Sequence, residues 1–487
     1  MNSKVFSTNQ TFRHPLRWTM MLALLVLASC ASKPERPLSA IYNQAAQYHA
    51  PDRNPIIVIP GILGSRLVDD STGRTVWGAF DRQAADPTDP EDALLLALPI
   101  SESLSLQQAR DTVLPDGVLE RINFRLLGIP IGVRAYVGIL STLGAGGYRD
   151  EGLGLNAIDY GEGHFTCFQF DYDWRRDNVE NAARLKAFID DRRAYIQEEY
   201  RKTYGIENAE VKFDIVAHSM GGLLTRYFLR YGDANLPEDG SLPELTWAGA
   251  EDVERVILVG TPNAGASEAF NQLLTGFDPA RPLLPHYPAA VIGTYPSIYQ
   301  LLPRPRHKRI VHNDAERSPV ENIYDASLWE KYGWGLSDDS EEVREFLLDA
   351  LPEIEDPEER HQIAKAYQQK ALSRAKAFHD AIDLDAPLPE GVELYLVAGD
   401  TEETPDIVGI DPVTGEANYI DYTFGDGTVT RNSALLDERV GDEWQPNLRS
   451  PIDWSSVQFI PANHLGLTQH PSFANNVLYI LLEDPRD

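Results

Sequence analysis

Cysteine is nearly absent: Cys30 and Cys167 are the only two in 487 residues. A disulfide framework is therefore not what holds this chain together. Basic charge is also short. Forty-three Lys and Arg face 74 Asp and Glu, a net charge of −31. Such a chain is repelled by phosphate backbones, which excludes nucleic acid as a partner. The acidic excess is spread along the sequence, densest over residues 337–360, and reads as a solvated surface. No histidine–carboxylate cluster has ligand spacing, so neither a metal nor a redox cofactor is implied. Internal repeats and low-complexity tracts are missing too. What remains is ordinary for a globular protein, 43% apolar and 24% charged. The length suggests one to three domains.

The N-terminus has its own pattern. Arg13, His14 and Arg17 precede an apolar run over residues 18–27. That run is too short to span a bilayer comfortably and suits the apolar region of a signal peptide. It ends in Leu27-Ala28-Ser29-Cys30, which resembles a bacterial lipobox. The resemblance implies cleavage before Cys30 and attachment of lipid to its thiol and new amino terminus. Residues 1–29 are then a signal peptide. Residues 30–54, with Pro34, Pro37 and Pro51, are a tether. The expected location is a bacterial cell envelope, on the outer membrane facing the periplasm. With Cys30 lipidated, Cys167 stands alone in a strand-like run and reads as a buried small residue.

Beyond the tether, apolar β-rich runs alternate with helical patterns. Strands are expected over 55–60, 165–170, 211–217, 253–259, 392–398 and 457–461. Helices are expected over 178–200, 223–231 and 471–482. The alternation predicts an α/β fold, a mostly parallel sheet covered by helices on both faces. In such sheets the chemistry collects at the carboxyl ends of the strands. Two long stretches interrupt the pattern. Residues 66–164 form an insertion within the first part of the core, 55–265. Residues 266–390 read as a cap over the strand ends, before the core resumes at 391–487. Within that cap Asp356 and Pro357 start an amphipathic helix.

The strongest local signal is Ala217-His218-Ser219-Met220-Gly221, between an apolar strand and a helix. A tight turn there lifts a serine hydroxyl out of the sheet and needs small residues two positions either side. Alanine replaces the usual first glycine. A serine hydroxyl becomes nucleophilic only when a base takes its proton, and in such a fold the base follows later in the chain. His464 follows the last expected strand, where the base belongs. His470 opens the closing helix, and His218 is expected to point away across the turn. For the acid, Asp400 directly follows a strand and Asp426 lies in Gly425-Asp426-Gly427; spacing does not choose between them. A tetrahedral oxyanion also needs two backbone donors, for which Met220 and Ile62 are the candidates.

These pieces stand beside PGILGS (60–65), YDWR (172–175), AHSMGG (217–222), GTPNAG (260–265), LYLVAG (394–399), GDGTVT (425–430) and ANHLGL (462–467). Together, in this order, they resemble the lecithin:cholesterol acyltransferase family of α/β-hydrolases. The resemblance implies a Ser219–Asp426–His464 triad, an oxyanion hole from Ile62 and Met220, and a large cap with a lid. The family's lid disulfide has no counterpart here. Asp173 and Arg175 are expected to form a buried ion pair beside the site. The run 93–100 is expected to be buried rather than to touch lipid. The implied activity is a serine-dependent lipid acyl hydrolase or acyltransferase. It would form an acyl-Ser219 intermediate from a phospholipid-type ester and pass the acyl group to water or an alcohol, such as a sterol. The alternatives are a plain esterase or lipase on other esters, and a non-catalytic lipid-binding lipoprotein.

Overall fold

The computed structural model describes residues 38–486, apart from 79–84, 120, 127–128, 135, 162, 238, 279–284 and 441–444, and without the side chains of 121–134. The expected signal peptide, 1–29, and the expected lipidation site, Cys30, lie outside the described residues.

Six strands form the central sheet: β1 (Ile56–Ile59), β2 (Cys167–Gln169), β3 (Phe213–His218), β4 (Val253–Val259), β5 (Glu393–Gly399) and β6 (Ser456–Ile460). Their order is β6-β5-β4-β3-β1-β2, and every neighbouring pair is parallel. Each of the six lies on one of the expected runs, with ends shifted by no more than two residues. β1 and β3 are buried along their whole length, as near-continuous apolar runs must be when both sheet faces are covered.

Side chains alternate between the two faces of a strand. Ile57, Ile59, Ile215, Ala217, Leu258 and Leu396 belong to the larger core, together with two helices, α2 (Asn178–Tyr204) and α3 (Met220–Tyr231). Ile56, Val58, Val216, Ile257, Val259 and Val397 join a second core under α1 (Val137–Ala145) and α5 (Pro471–Leu482). The Asp177 carboxylate caps α2 through Val179 N–H, and Gly205, at φ 69°, ends it.

Three segments add detail to the expected layout. Residues 38–54 are not a free tether but dock on the fold. Tyr42 is buried and its hydroxyl donates to the Asn475 carbonyl, while Arg53 lies over the Tyr148 ring. The insertion expected over 66–164 ends sooner, because α1 covers one face of the sheet. A third segment, Glu402–Ile410 paired with Ala417–Gly425, is a long antiparallel hairpin where no strand is expected. Its sequence is rich in acidic and turn residues and has one face in solvent, so it carries no apolar run.

Residues 93–100 lie partly in a short helix, Pro90–Leu96, and Leu96, Leu98 and Ile100 are buried. Residues 266–390 form a mainly helical layer that shares the larger apolar core. Its longest helix, α4 (Pro357–Ile382), is capped by Asp356 and starts with Pro357. α4 packs along α3, with the Phe378 and Tyr227 rings stacked at 5.7 Å. The layer is also tied to the carboxyl end of β4: Ala266 N–H donates to the Leu301 carbonyl and Arg304 N–H to the Ala264 carbonyl.

An ionic knot closes this contact. Asp383, just beyond α4, accepts from Arg304 at 2.8 Å and from Arg306 at 2.9 Å, and pairs with Arg226 of α3 at 3.4 Å. Burial opposes ionisation of Asp383, but the three guanidinium groups outweigh it and hold the carboxyl well below the usual carboxylate range. A carboxyl lowered in the folded state stabilises the fold above its unfolded pKa and loses that contribution as pH falls toward the folded value. Asp383→Asn leaves Arg226 and Arg304 buried beside a neutral group. It should cost about 3–5 kcal/mol. Urea denaturation at pH 7 checks this. The difference between wild type and variant should shrink only below about pH 4.

Candidate active site

The chain passes from β3 into α3 through Ser219, whose φ and ψ are 55° and −127°. A non-glycine residue there is strained and needs surroundings that hold it. Those surroundings are built from close backbone contacts. A Cβ on Gly221 would lie 2.3 Å from the Pro60 carbonyl oxygen, and one on Gly222 would lie 2.1 Å from Thr261 Oγ1. The loops that follow β1 and β4 therefore press directly on the turn. Ala217 is fully buried in the larger core, so a methyl group is accommodated where the usual motif has glycine.

His464 follows β6 and meets the serine: its Nε2 lies 3.0 Å from Ser219 Oγ. Its Nδ1 lies 2.8 Å from Asp426 Oδ2. The other Asp426 oxygen accepts from Thr428 N–H at 3.0 Å and Val429 N–H at 2.7 Å. Main-chain contacts lock the same pair, since His464 N–H donates to the Asp426 carbonyl. Burial of Asp426 opposes its charge. Attraction to His464 and the hydrogen bonds from His464, Val429 and Thr428 outweigh that cost, so its pKa falls below the ordinary value. The carboxylate therefore faces Nδ1 as an acceptor. That sets the tautomer in which Nε2 is free to take the serine proton.

The two acid candidates separate clearly. Asp400 is partly exposed and pairs with Arg431 at 3.1 Å, and it makes no hydrogen bond or ion pair with His464. Asp426 sits at the end of the unexpected hairpin, packed against Gly399 at the tip of β5. His470 caps α5 through Ser472 N–H, as its position at the helix start suggests.

Met220 is the first residue of α3, so its N–H has no carbonyl of its own helix to reach. Among the described residues neither the Met220 N–H nor the Ile62 N–H donates to a protein acceptor. Met220 follows Ser219 directly, and Ile62 follows Gly61, which lies against Ser219 so closely that a Cβ on it would be 3.2 Å from Oγ. Two unpaired backbone donors on these segments are suited to stabilise a developing oxyanion.

The loop over 60–65 is anchored by residues whose role the sequence does not disclose. The Tyr172 hydroxyl donates to the Pro60 carbonyl at 2.9 Å, and Trp174 Nε1 donates to the Ser65 carbonyl at 3.1 Å. The adjoining Asp173–Arg175 ion pair is fully buried, with Arg175 also reaching Asp111 and three carbonyls. His218 is another difference. It does not point away but packs against His464, ring centroids 4.7 Å apart.

A parallel sheet with a strained serine between strand and helix, met by a later aspartate and histidine, defines the α/β-hydrolase class. Within that class, the sequence model of the lecithin:cholesterol acyltransferase family matches residues 155–447, and the chain belongs to that family. It is thus an enzyme of lipid acyl esters. No curated protein sequence matches the chain. A solved chain from the Tle4–Tli4 complex superposes with a TM-score of 0.50 at 14% identity, covering 88% of this chain and 98% of that one, and shares the fold. The mature Bacillus licheniformis lipase BlEst2 aligns at 12% identity over 90% of this chain and 94% of its own. Its TM-score of 0.33 is too low to bear on the comparison.

The geometry assigns different outcomes to the two carboxylates. Asp426→Asn keeps the shape but favours the wrong imidazole tautomer, a change that costs about 10⁴ in kcat in a serine protease. Asp400→Asn should stay within about tenfold of wild type, the equivalent of ~1.4 kcal/mol. Steady-state kinetics on one soluble ester, with thermal unfolding of both variants, checks the pair.

Proposed function

We propose that this protein is a serine-dependent lipid acyl hydrolase or acyltransferase that takes its acyl group from a phospholipid-type ester. The observation that carries the reading is the continuous line from Ser219 Oγ through His464 to Asp426, at 3.0 and 2.8 Å. In the first half-reaction Ser219 Oγ attacks the ester carbonyl carbon while His464 Nε2 takes its proton. The carbonyl oxygen gains charge toward the N–H groups of Ile62 and Met220. Collapse expels the alcohol, protonated by His464, and leaves an acyl-Ser219 ester. In the second half water or another alcohol, deprotonated by His464, repeats the sequence and frees Ser219.

The phospholipid-type donor and the alcohol acceptor are supported by membership of a family named for transfer between lecithin and cholesterol. Transfer to an alcohol has to outcompete water at roughly 55 M, which calls for a covered site that positions the acceptor. The helical layer over 266–390, tied to the loop after β4, is the part of the fold able to supply that cover. A purely lipid-binding lipoprotein is disfavoured, because such a protein has no need of a satisfied triad beside two unpaired donors. Lipidation of Cys30 would place the enzyme on an envelope membrane beside its substrate, and residues 38–54 would keep the anchor close to the catalytic core.

Three measurements test the reading. A fluorophosphonate probe should label wild type and not Ser219→Ala, and ester hydrolysis by that variant should fall by up to about 10⁶. Equal labelling would end the proposal. A phospholipid with a labelled acyl chain, supplied with and without a sterol or long-chain alcohol, should give a labelled ester only when the acceptor is present. Free fatty acid alone would make the protein a hydrolase, and inactivity on phospholipid with activity on simple esters would make it a plain esterase. Cys30→Ser should move the protein from membrane to soluble fractions while sparing soluble-ester hydrolysis, since stable anchoring needs more than one acyl chain.

A further inference from the structure

Behind the base runs a second hydrogen-bonded line that the proposed mechanism leaves unused. Gly61 N–H donates to Tyr136 Oη at 2.8 Å. Tyr136 Oη lies 3.3 Å from His218 Nδ1, and His218 Nε2 lies 3.2 Å from the main-chain oxygen of His464. Tyr136 is 3% exposed and His218 is 2% exposed, so water does not compete for these bonds. The line joins the loop that carries Ile62 to the residue that carries the base.

Its protons can be placed. The His464 carbonyl only accepts, so the ring proton of His218 sits on Nε2. Burial, reinforced by the neighbouring His464, lowers the His218 pKa to about 3. At neutral pH its Nδ1 is therefore a bare acceptor. The single hydroxyl proton of Tyr136 goes to that nitrogen, and the Tyr136 oxygen is left to accept from Gly61. Each hydrogen is used once and in one direction.

The loop is shaped around the hydroxyl. A Cβ on Gly64 would lie 2.7 Å from Tyr136 Oη, and a Cβ on Gly61 would lie 2.6 Å from Ser219 Cβ. The tyrosine ring itself is held edge-on to His218 and packed in the core under α1. The loop therefore has the tyrosine hydroxyl on one side and the nucleophile on the other. Trp174 binds the Ser65 carbonyl at its far end, whereas Tyr172 and Tyr136 hold the two sides of one peptide, the Pro60 carbonyl and the Gly61 N–H, directly before the peptide that carries the Ile62 N–H.

We infer that Tyr136 and His218 are positioning residues, which tie the oxyanion loop at Gly61–Ile62 to the main chain of His464 so that donor and base keep one spacing. The inference rests on Ser219 being the nucleophile. Loss of the bridge leaves the Gly61 N–H without its acceptor and lets the Ile62 peptide turn. Stabilisation of the tetrahedral oxyanion then weakens, while ground-state binding of the ester does not. Neither side chain touches substrate.

A trifluoromethyl ketone with a lipid-like tail separates these effects. Ser219 Oγ adds to its carbonyl carbon, the serine proton passes to His464, and the ketone oxygen becomes an oxyanion in the adduct. A non-cleavable ether analogue of the substrate binds without forming one. In the full-length protein Tyr136→Phe should lower kcat by about ten- to a hundredfold, less than the loss of an oxyanion donor itself, with KM changed by less than about threefold. The ketone inhibition constant should rise by the same factor, and that of the ether analogue should hold. His218→Leu should match Tyr136→Phe, and the double variant should lose little more than either, because both changes break one line. If Tyr136→Phe does not fold, His218→Asn carries the same expectation for the two inhibitors. A folded Tyr136→Phe with wild-type kcat and ketone affinity would overturn the inference, as would equal weakening of both inhibitors. Wild type that fails to bind the ketone, or fluorophosphonate labelling that survives Ser219→Ala, would remove the nucleophile reading as well.

Discussion

A serine held at φ 55° and ψ −127° costs about 1–3 kcal/mol of backbone strain, and the packing around Ser219 leaves the chain no relaxed alternative. Gly221 lies against the Pro60 carbonyl, Gly222 against Thr261, and Gly61 against Ser219. These contacts lock the loops after β1, β3 and β4 into one unit at the carboxyl end of the sheet. The strain is thus balanced by parts of the chain far apart in sequence. The same closeness holds the segments that carry the Ile62 and Met220 amides, the candidate oxyanion donors, against the serine. Stabilising donors fixed before substrate arrives need no reorganisation during reaction.

Asp426 and His464 reach this unit from the other side. β5 and β6 are paired neighbours, and the loops beyond them cross where Gly399 leaves room for Asp426 and Ala462. His464 takes its main-chain bond from Asp426 and its side-chain bond from the same residue. The pair therefore moves as a block. What remains is the gap between that block and the loop over 60–65, the candidate oxyanion loop. Tyr136 and His218 lie across that gap, buried, and the hydroxyl and both ring nitrogens each have a partner. A network satisfied in this way is rigid, because any change of partner would leave a group unpaired in a dry interior.

The helical layer over 266–390 extends this arrangement outward. It is not a separate unit hinged to the core, because α4 lies along α3 and shares its apolar surface. Asp383, gathering three arginines, joins the end of α4 to the elbow helix and to residues 304–306. The layer is thereby coupled to the helix whose first amide is a candidate oxyanion donor. These ion pairs order the layer by charge as well as by apolar contact.

Much of this arrangement is legible in the amino-acid order. The six strands announce themselves because parallel strands buried on both faces must be apolar throughout, and apolar runs are visible in one dimension. The elbow shows because a tight strand-to-helix turn demands small residues at set offsets from Ser219. His464 follows from the rule that such bases come after the last strand. Asp426 is different. Spacing alone leaves it level with Asp400, and only a set of motifs in family order favours it. The hairpin that delivers Asp426 is hidden because its strands have a solvent face and carry the polar residues of a loop.

Tyr136, Tyr172, Trp174 and the placement of His218 belong to the tertiary structure for another reason. Their function lies in which backbone carbonyl or amide they meet, and residues 75 to 246 positions away in the chain supply those partners. Local pattern is enough to specify the sheet, the elbow and the kind of chemistry, since each rests on neighbours in the chain. Folding alone selects which carboxylate faces the imidazole, how the oxyanion loop is braced, and that residues 38–54 and 266–390 join the core. Those outcomes depend on long-range contacts, which leave no periodic trace along the chain.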